Sequence, residues 1–301
     1  LMNKLENNFL GISMKNPLIA ASGTFGFGSE YNQFYDVSKL GAICSKGLTL
    51  DPKQGNSGTR IWETASGMIN SIGLQNPGVQ HFIENEFEQM KSYGSAVIVN
   101  LGGGCEDEYI LAAEMLNQLE IDILELNISC PNVKKGGMAF GIKANDVAYI
   151  TKIMKQTTIH PLMVKLSPNA ENIVESALAA ESAGADAVSL VNTFQAMAID
   201  IDKRKAVFEN VYAGLSGCAI KPIALRMVHQ VSHAVNIPVC GIGGILTWQD
   251  ALEFIMAGAS TVQIGSGMFH DMYAPIKIIE GLEHYCEREG IENISQIRKI
   301  I

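Results

Sequence analysis

The chain has 301 residues, 47% of them hydrophobic and 18% charged, ample for one large buried core or two smaller ones. Its formal net charge of -9 is the opposite of the basic footprint that broad nucleic-acid binding requires. No run of about 20 apolar residues offers a membrane span, and the opening LMNKLENNFLGISMKNPLIA lacks the apolar core of a secretory signal. The expectation is a cytoplasmic enzyme or binding protein that works on small molecules, with no nucleic acid and no membrane.

In chain order, short apolar runs rich in β-branched residues read as strands: PLIAASG (17–23), AICSKG (42–47), AVIVNLGG (96–103), ILELNISC (123–130), PLMVKLS (161–167), AVSLVNT (187–193), IPVCGIGG (237–244) and STVQIGSG (260–267). Between most of them lie helical patterns with apolar residues at three and four spacing, such as VQHFIENEFEQMKS, EDEYILAAEMLNQLE, NDVAYITKIMKQ, AENIVESALAAESAG and WQDALEFIMAGA. Near-continuous apolar strands imply a sheet covered on both faces and hence parallel. Eight such units predict an α/β fold of the (β/α)8 TIM-barrel type, with a closed barrel favoured over an open doubly wound sheet. No repeat or low-complexity linker divides residues 1–301, so a single domain is expected. The connections 48–78 and 194–220 are too long for simple crossovers and are expected as insertions over the carboxyl end, where such barrels build their sites.

Side chains alternate along a strand, so each run divides into a helix-facing and an inward set. Leu124, Leu126 and Ile128 fit the helix side, leaving Glu125 and Asn127 inward; Leu162, Val164 and Leu166 likewise leave Met163, Lys165 and Ser167 inward. The same reasoning turns Asn100 inward with Ile98, and Lys46 inward with Cys44. One buried asparagine is ordinarily a satisfied core hydrogen bond. Four polar side chains meeting in one interior, two of them cationic, point to a bound polar ligand, because unpaired buried groups cost several kcal/mol.

The last two strands end in GIGGI (241–245) and GSGMF (265–269). Loops after strands seven and eight frequently form a phosphate site in such barrels. Without a GxGxxG fingerprint, the implied ligand is a mononucleotide-like phosphate. The six cysteines (44, 105, 130, 218, 240, 286) form no CxxC pair, so no intrinsic metal site is expected and most should be buried and inert.

The segments NPLIAASGTFGFG, CSKGLTL, NSIGLQNPG, NISCPNVKKGG, VKLSPN, LVNT, GLSGCAIKPIALRMV and GIGGI, collinear from residue 16 to residue 245, resemble the dihydroorotate dehydrogenases, specifically the class 1B catalytic subunits. The resemblance implies a barrel that holds FMN at its carboxyl end and oxidises (S)-dihydroorotate to orotate in pyrimidine (UMP) synthesis. Hydride leaves C6 for the flavin N5, and the SCPN cysteine, here Cys130, takes the C5 proton. An ordinary thiol titrates near about 8.5, so activity is expected to rise with pH toward that region.

By the same resemblance Ser22, Lys46, Gly47, Asn100, Asn127, Lys165 and Val191 would contact the flavin, and Gly217, Gly243, Gly244, Gly265 and Ser266 would surround it through backbone groups. Lys46, Asn70, Ser71, Ile72, Gly73, Leu74, Asn127, Asn192 and Thr193 would hold the substrate. A lysine at 165 suits negative charge developing at the flavin N1/O2 edge. GSGMF departs from the threonine-alanine type sequence expected after its first glycine, and backbone amides can serve there instead.

Class 1B is favoured because VKKGG, not a PGKPQ-like stretch, follows SCPN and because the chain starts close to its first strand, without the membrane-associating extension of class 2. The class implies a homodimer flanked by two subunits that carry FAD and a [2Fe-2S] cluster and reduce NAD+. Two other readings stay open: a class 1A-like, stand-alone enzyme using fumarate, and a flavin-free phosphosugar isomerase or lyase with Lys165 as Schiff base or general base.

Overall fold

The computed structural model describes residues 3–128 and 140–301. Eight parallel strands close into a barrel: β1 (Leu18–Ala20), β2 (Ala42–Cys44), β3 (Ala96–Leu101), β4 (Ile123–Asn127), β5 (Leu162–Lys165), β6 (Ala187–Leu190), β7 (Val239–Ile242) and β8 (Thr261–Ile264). Each pairs with its successor in sequence, and β8 pairs with β1. The expected closed barrel is therefore present. Every ladder is shorter than the apolar run that announces it, because the last residues of each run leave the ladder to form loops over the carboxyl end.

The outer helices are α1 (Phe87–Ser92), α2 (Glu106–Leu116), α3 (Ala144–Thr157), α4 (Ile173–Ser182), α5 (Lys221–Ala234), α6 (Trp248–Met256) and α7 (Ala274–Arg288). Each turns its apolar stripe toward the sheet; in α3 this is Val147, Ile150 and Met154 with Thr151. Two of these helices start on side chains that accept free backbone N–H groups. Asn172 accepts from Val174 and Glu175, and Thr247 forms a capping box with Asp250. The continuous helix expected over 79–92 is instead broken by a π-helical turn at Phe82–Glu86.

Period-two alternation holds through the barrel. Leu18, Ile43, Val99, Leu124, Leu126, Val164, Val188 and Val262 pack outward in the main core, each burial contributing about 1.5–3 kcal/mol. Ile19, Ala42, Cys44, Ile98, Ile123, Met163, Ala187 and Cys240 fill the lower interior. A hairpin of Asn7–Phe9 and Ile12–Met14 puts Phe9 and Met14 against that layer and closes the amino end. Its two turn residues, Leu10 and Gly11, have φ of 57° and 84°, as a two-residue hairpin turn of this hand demands.

The two long connections do lie over the carboxyl end, and they do so together. Strands Ile61–Thr64 and Gly67–Asn70 of the first join Phe194–Met197 and Tyr212–Ser216 of the second in one four-stranded antiparallel sheet. The seam pairs Asn70 with Gly214, Ile69 with Leu215 and Met68 with Ser216. Motif reading treats the insertions separately, since nothing local to either encodes its partner.

Candidate active site

A cavity of about 570 Å³ opens at the carboxyl end, between the strand tips and this sheet, within the usual size of small-molecule sites. Its floor carries Lys165 and Asn127, the last ladder residues of β5 and β4, side by side in register. Ser22, Lys46, Gly47, Val191, Asn192, Thr193, Gly243, Gly244, Gly265 and Ser266 also line it, as does the whole segment from Asn70 through Ser71, Ile72 and Gly73 to Leu74.

Two expected residues do not reach the wall. Asn100 is fully buried behind it, where its Nδ2 donates to Glu125 Oε2 at 2.6 Å and its Oδ1 accepts from Asn127 Nδ2 at 3.3 Å. Gly217, at φ 100°, lies beneath Gly244: a Cβ on Gly244 would come within 2.8 Å of the Gly217 carbonyl oxygen. Both shape the cavity from outside it. Cys130 and the VKKGG stretch after it lie outside the described residues.

The 70–74 segment is held by Asn56 and Arg60, which lie outside every quoted motif, and by Asn76 of NSIGLQNPG. Asn56 Nδ2 donates to Ser71 Oγ at 2.9 Å, and Arg60 Nε donates to the Asn56 carbonyl at 2.7 Å. Asn76 donates to the Leu74 carbonyl at 2.7 Å and to Thr49 Oγ1 at 2.8 Å. Gly73 and Leu74 both adopt left-handed φ, and a Cβ on Gly73 would strike Asn56 Oδ1 at 2.4 Å. Gly73, the first glycine of NSIGLQNPG, is thus a requirement of packing.

Below the floor sits Glu125, with no exposed surface. Ser189 Oγ and Gln263 Nε2 donate to its Oε1 at 2.8 and 2.9 Å, Asn100 donates to Oε2, and Lys165 Nζ stands 3.6 Å from Oε2. Burial would push this carboxyl up, but the Lys165 charge and the three donors outweigh it and hold Glu125 below the usual carboxylate range. Ser189 and Gln263 are inward residues by the same alternation that identified Lys165, and applying it to strands six and eight finds them.

Lys46 titrates below an ordinary lysine, because burial disfavours its charge; Glu30 opposes the shift and Arg60 adds to it. Burial raises Cys44 well above an ordinary thiol, aided by Glu125, and pushes Cys240 up to about 12. Those two and Cys286 are buried, as expected of inert thiols, but Cys105 and Cys218 are exposed. No group of three or more metal-ligating side chains occurs among the described residues.

The family model for dihydroorotate dehydrogenase matches residues 4–286. The chain belongs to the dihydroorotate dehydrogenase family. It is 54% identical over 98% of both chains to a Petrotoga mobilis protein named dihydroorotate dehydrogenase B (NAD(+)), catalytic subunit. Proteins of that name from Brachyspira hyodysenteriae and Bacteroides thetaiotaomicron are 52% and 48% identical, again over 98% of each chain. Within this dehydrogenase family fold, the polar groups of the cavity converge from six of the eight strand ends and from both insertions.

Proposed function

We propose that the chain oxidises (S)-dihydroorotate to orotate in de novo pyrimidine biosynthesis as a single FMN-binding barrel domain, 1–301, whose electrons reach NAD+ through a separate subunit. The observation that carries this reading is the full-length relationship to catalytic subunits of that name, joined to a cavity whose floor presents a cation and an amide side by side.

The residues present fit FMN. Gly243, Gly244 and Gly265 face the cavity at the ends of β7 and β8. A Cβ on Gly265 would meet nothing nearer than Ala21 Cβ at 3.7 Å, so its absence leaves cavity space where a phosphate or ribityl chain can approach the backbone. Ser22, Lys46, Gly47, Asn127, Lys165, Val191 and Ser266 would hold the remainder, with Asn100 and Gly217 bracing them. Bound there, FMN supplies a two-electron acceptor for the hydride that leaves C6 of the substrate.

Lys165 places a fixed positive charge at the floor, where a water-poor site magnifies its effect on developing negative charge. Lys46 pairs with the substrate carboxylate. The 70–74 segment, Asn127, Asn192 and Thr193 meet the amide edges of the ring with matched donors and acceptors, which rejects analogues that lack them. Cys130 takes the C5 proton.

The relatives are catalytic subunits by name, which supports a further subunit; the reading gives that partner FAD and a [2Fe-2S] cluster, and pairs it with a homodimer of this chain in a cytoplasmic heterotetramer. No helix among the described residues is long and apolar enough to cross a membrane. The relatives' NAD(+) designation favours this acceptor over fumarate, and family membership sets aside the phosphosugar isomerase reading.

Purified chain should show a flavin spectrum that dihydroorotate bleaches without air, and turnover with NAD+ should require the iron-sulfur flavoprotein subunit. A colourless protein that takes up no FMN, or vigorous fumarate turnover without the partner subunit, overturns the proposal.

A further inference from the structure

We propose that Glu125 is a positioning residue for this reaction: a buried counter-ion that holds Lys165 in place and sets the direction of the Asn100–Asn127 hydrogen-bond relay under the cavity floor. The inference rests on the functional reading above.

Five strands send side chains to this one carboxylate, among them β2, whose Cys44 Sγ donates to Oε2 at 3.5 Å. Ser189 from β6 and Gln263 from β8 occupy Oε1; Asn100 from β3 occupies Oε2, with Lys165 from β5 at 3.6 Å. Glu125 has no exposed surface and is not part of the cavity wall, so it acts only through its neighbours. An isolated buried anion or cation costs several kcal/mol, whereas breaking such a pair leaves an uncompensated charge. Glu125 and Lys165 therefore require each other.

The carboxylate also decides an orientation. An ionised carboxylate only accepts hydrogen bonds. Asn100 must therefore present Nδ2 to Glu125, at 2.6 Å, which turns its Oδ1 toward Asn127 to accept from Nδ2 at 3.3 Å. Each amide has two possible orientations, and the anion at one end selects one for both. The result is a fixed polarity of Asn127 in the cavity and a lysine that cannot swing away from the floor.

The test uses the full chain loaded with FMN and compares Glu125→Gln, Glu125→Asp and wild type. Glutamine keeps the shape but removes the charge and turns one of the two acceptor oxygens into a donor, so the anion that selects one amide orientation is gone. Orotate affinity, read from the perturbation of the flavin spectrum, should weaken about tenfold in Glu125→Gln, the effect of leaving one buried donor unmet. The flavin midpoint potential should become more positive, because the Lys165 charge is then unopposed and favours the reduced, more negative state. Glu125→Asp keeps the charge and should keep the wild-type potential.

If Glu125→Gln does not fold, the comparison is read between Lys165→Met and Lys165→Met/Glu125→Gln. Neutralising the orphaned carboxylate should then raise both the melting temperature and the potential. A potential and orotate affinity unchanged by loss of the charge, in either background, overturn the proposal while leaving the dehydrogenase reading intact. Failure of wild type to bind FMN would sink that reading first.

Discussion

Asn70 Nδ2 donates to the carbonyl oxygen of Gly214 at 3.3 Å, across the seam where the two insertions pair. Residues 144 positions apart thus meet over the cavity, and the proposed substrate contacts Asn70 and Thr193 depend on one joint. Gly214 has no room for a side chain: a Cβ there would sit 2.1 Å from Thr193 Oγ1. Gly214→Ala should open the seam and raise the KM for dihydroorotate by about tenfold, a loss of roughly 1.4 kcal/mol, while flavin content stays at the wild-type level. Equal loss of flavin and substrate affinity would place the damage elsewhere.

At the other wall, Gly244 has φ 72° and stands against the Gly217 carbonyl oxygen and the Lys221 side chain, each 2.8 Å from an added Cβ. Gly244→Ala should cost about 1–3 kcal/mol of stability from backbone strain alone and weaken FMN retention, with little change in the substrate KM of the molecules that keep flavin. Thermal melts and flavin-to-protein ratios check this.

Acid should expose the Glu125 pair. Its carboxyl is held below the usual value of 4.5 in the folded chain, so the unfolded chain binds the proton first as pH falls. The resulting stabilisation is complete above pH 4.5 and is lost as pH drops through the lowered folded value. Melting temperature should fall across that acid window in wild type and fall less steeply in Glu125→Gln. Parallel curves would mean that the pair contributes nothing to acid sensitivity.

On the alkaline side, Lys46 releases its proton below the ordinary value of 10.5, driven by burial against the opposing Glu30, with Arg60 adding to the shift. The proposed pairing with the substrate carboxylate requires the charged form. The KM for dihydroorotate should therefore climb as pH rises through that lowered value, and Lys46→Met should bind weakly at every pH with the climb gone.

Cys130→Ala should abolish steady-state turnover, by at least about a hundredfold as befits loss of a general base, while FMN stays bound. Retained flavin with a dead enzyme supports the assignment; near wild-type rates remove the thiol from the mechanism.

Alternation along the strands located Lys165, Asn127, Asn100 and Lys46 because a pleated strand admits only two facings, and one of them had to meet the helices. The same rule reaches Ser189 and Gln263, whose runs attract less notice because they lack a charge. Asn56 and Arg60 lie outside every motif, and Asn76 lies within NSIGLQNPG without a local sign of its role. Their roles are to brace the 70–74 segment, and a bracing side chain is defined by what lies next to it in space. The exposed Cys105 and Cys218 differ from the buried thiols in where the chain places them, Cys105 ahead of α2 and Cys218 at the start of a short 3-10 turn, which residue type does not encode.

By itself, then, the order of apolar runs and helical stripes determined an eightfold β/α barrel and the inward set at its carboxyl end, because both follow from local periodicity and the burial of apolar surface. Only the tertiary structure decided that the strands 61–64 and 67–70 form one sheet with 194–197 and 212–216, and that Glu125 anchors Lys165 and Asn100 from below. It also withdrew Asn100 and Gly217 behind the cavity wall. Those facts depend on closure of the barrel, which brings β3, β4, β5, β6 and β8 to one axis and sets side chains far apart in the chain within hydrogen-bond reach.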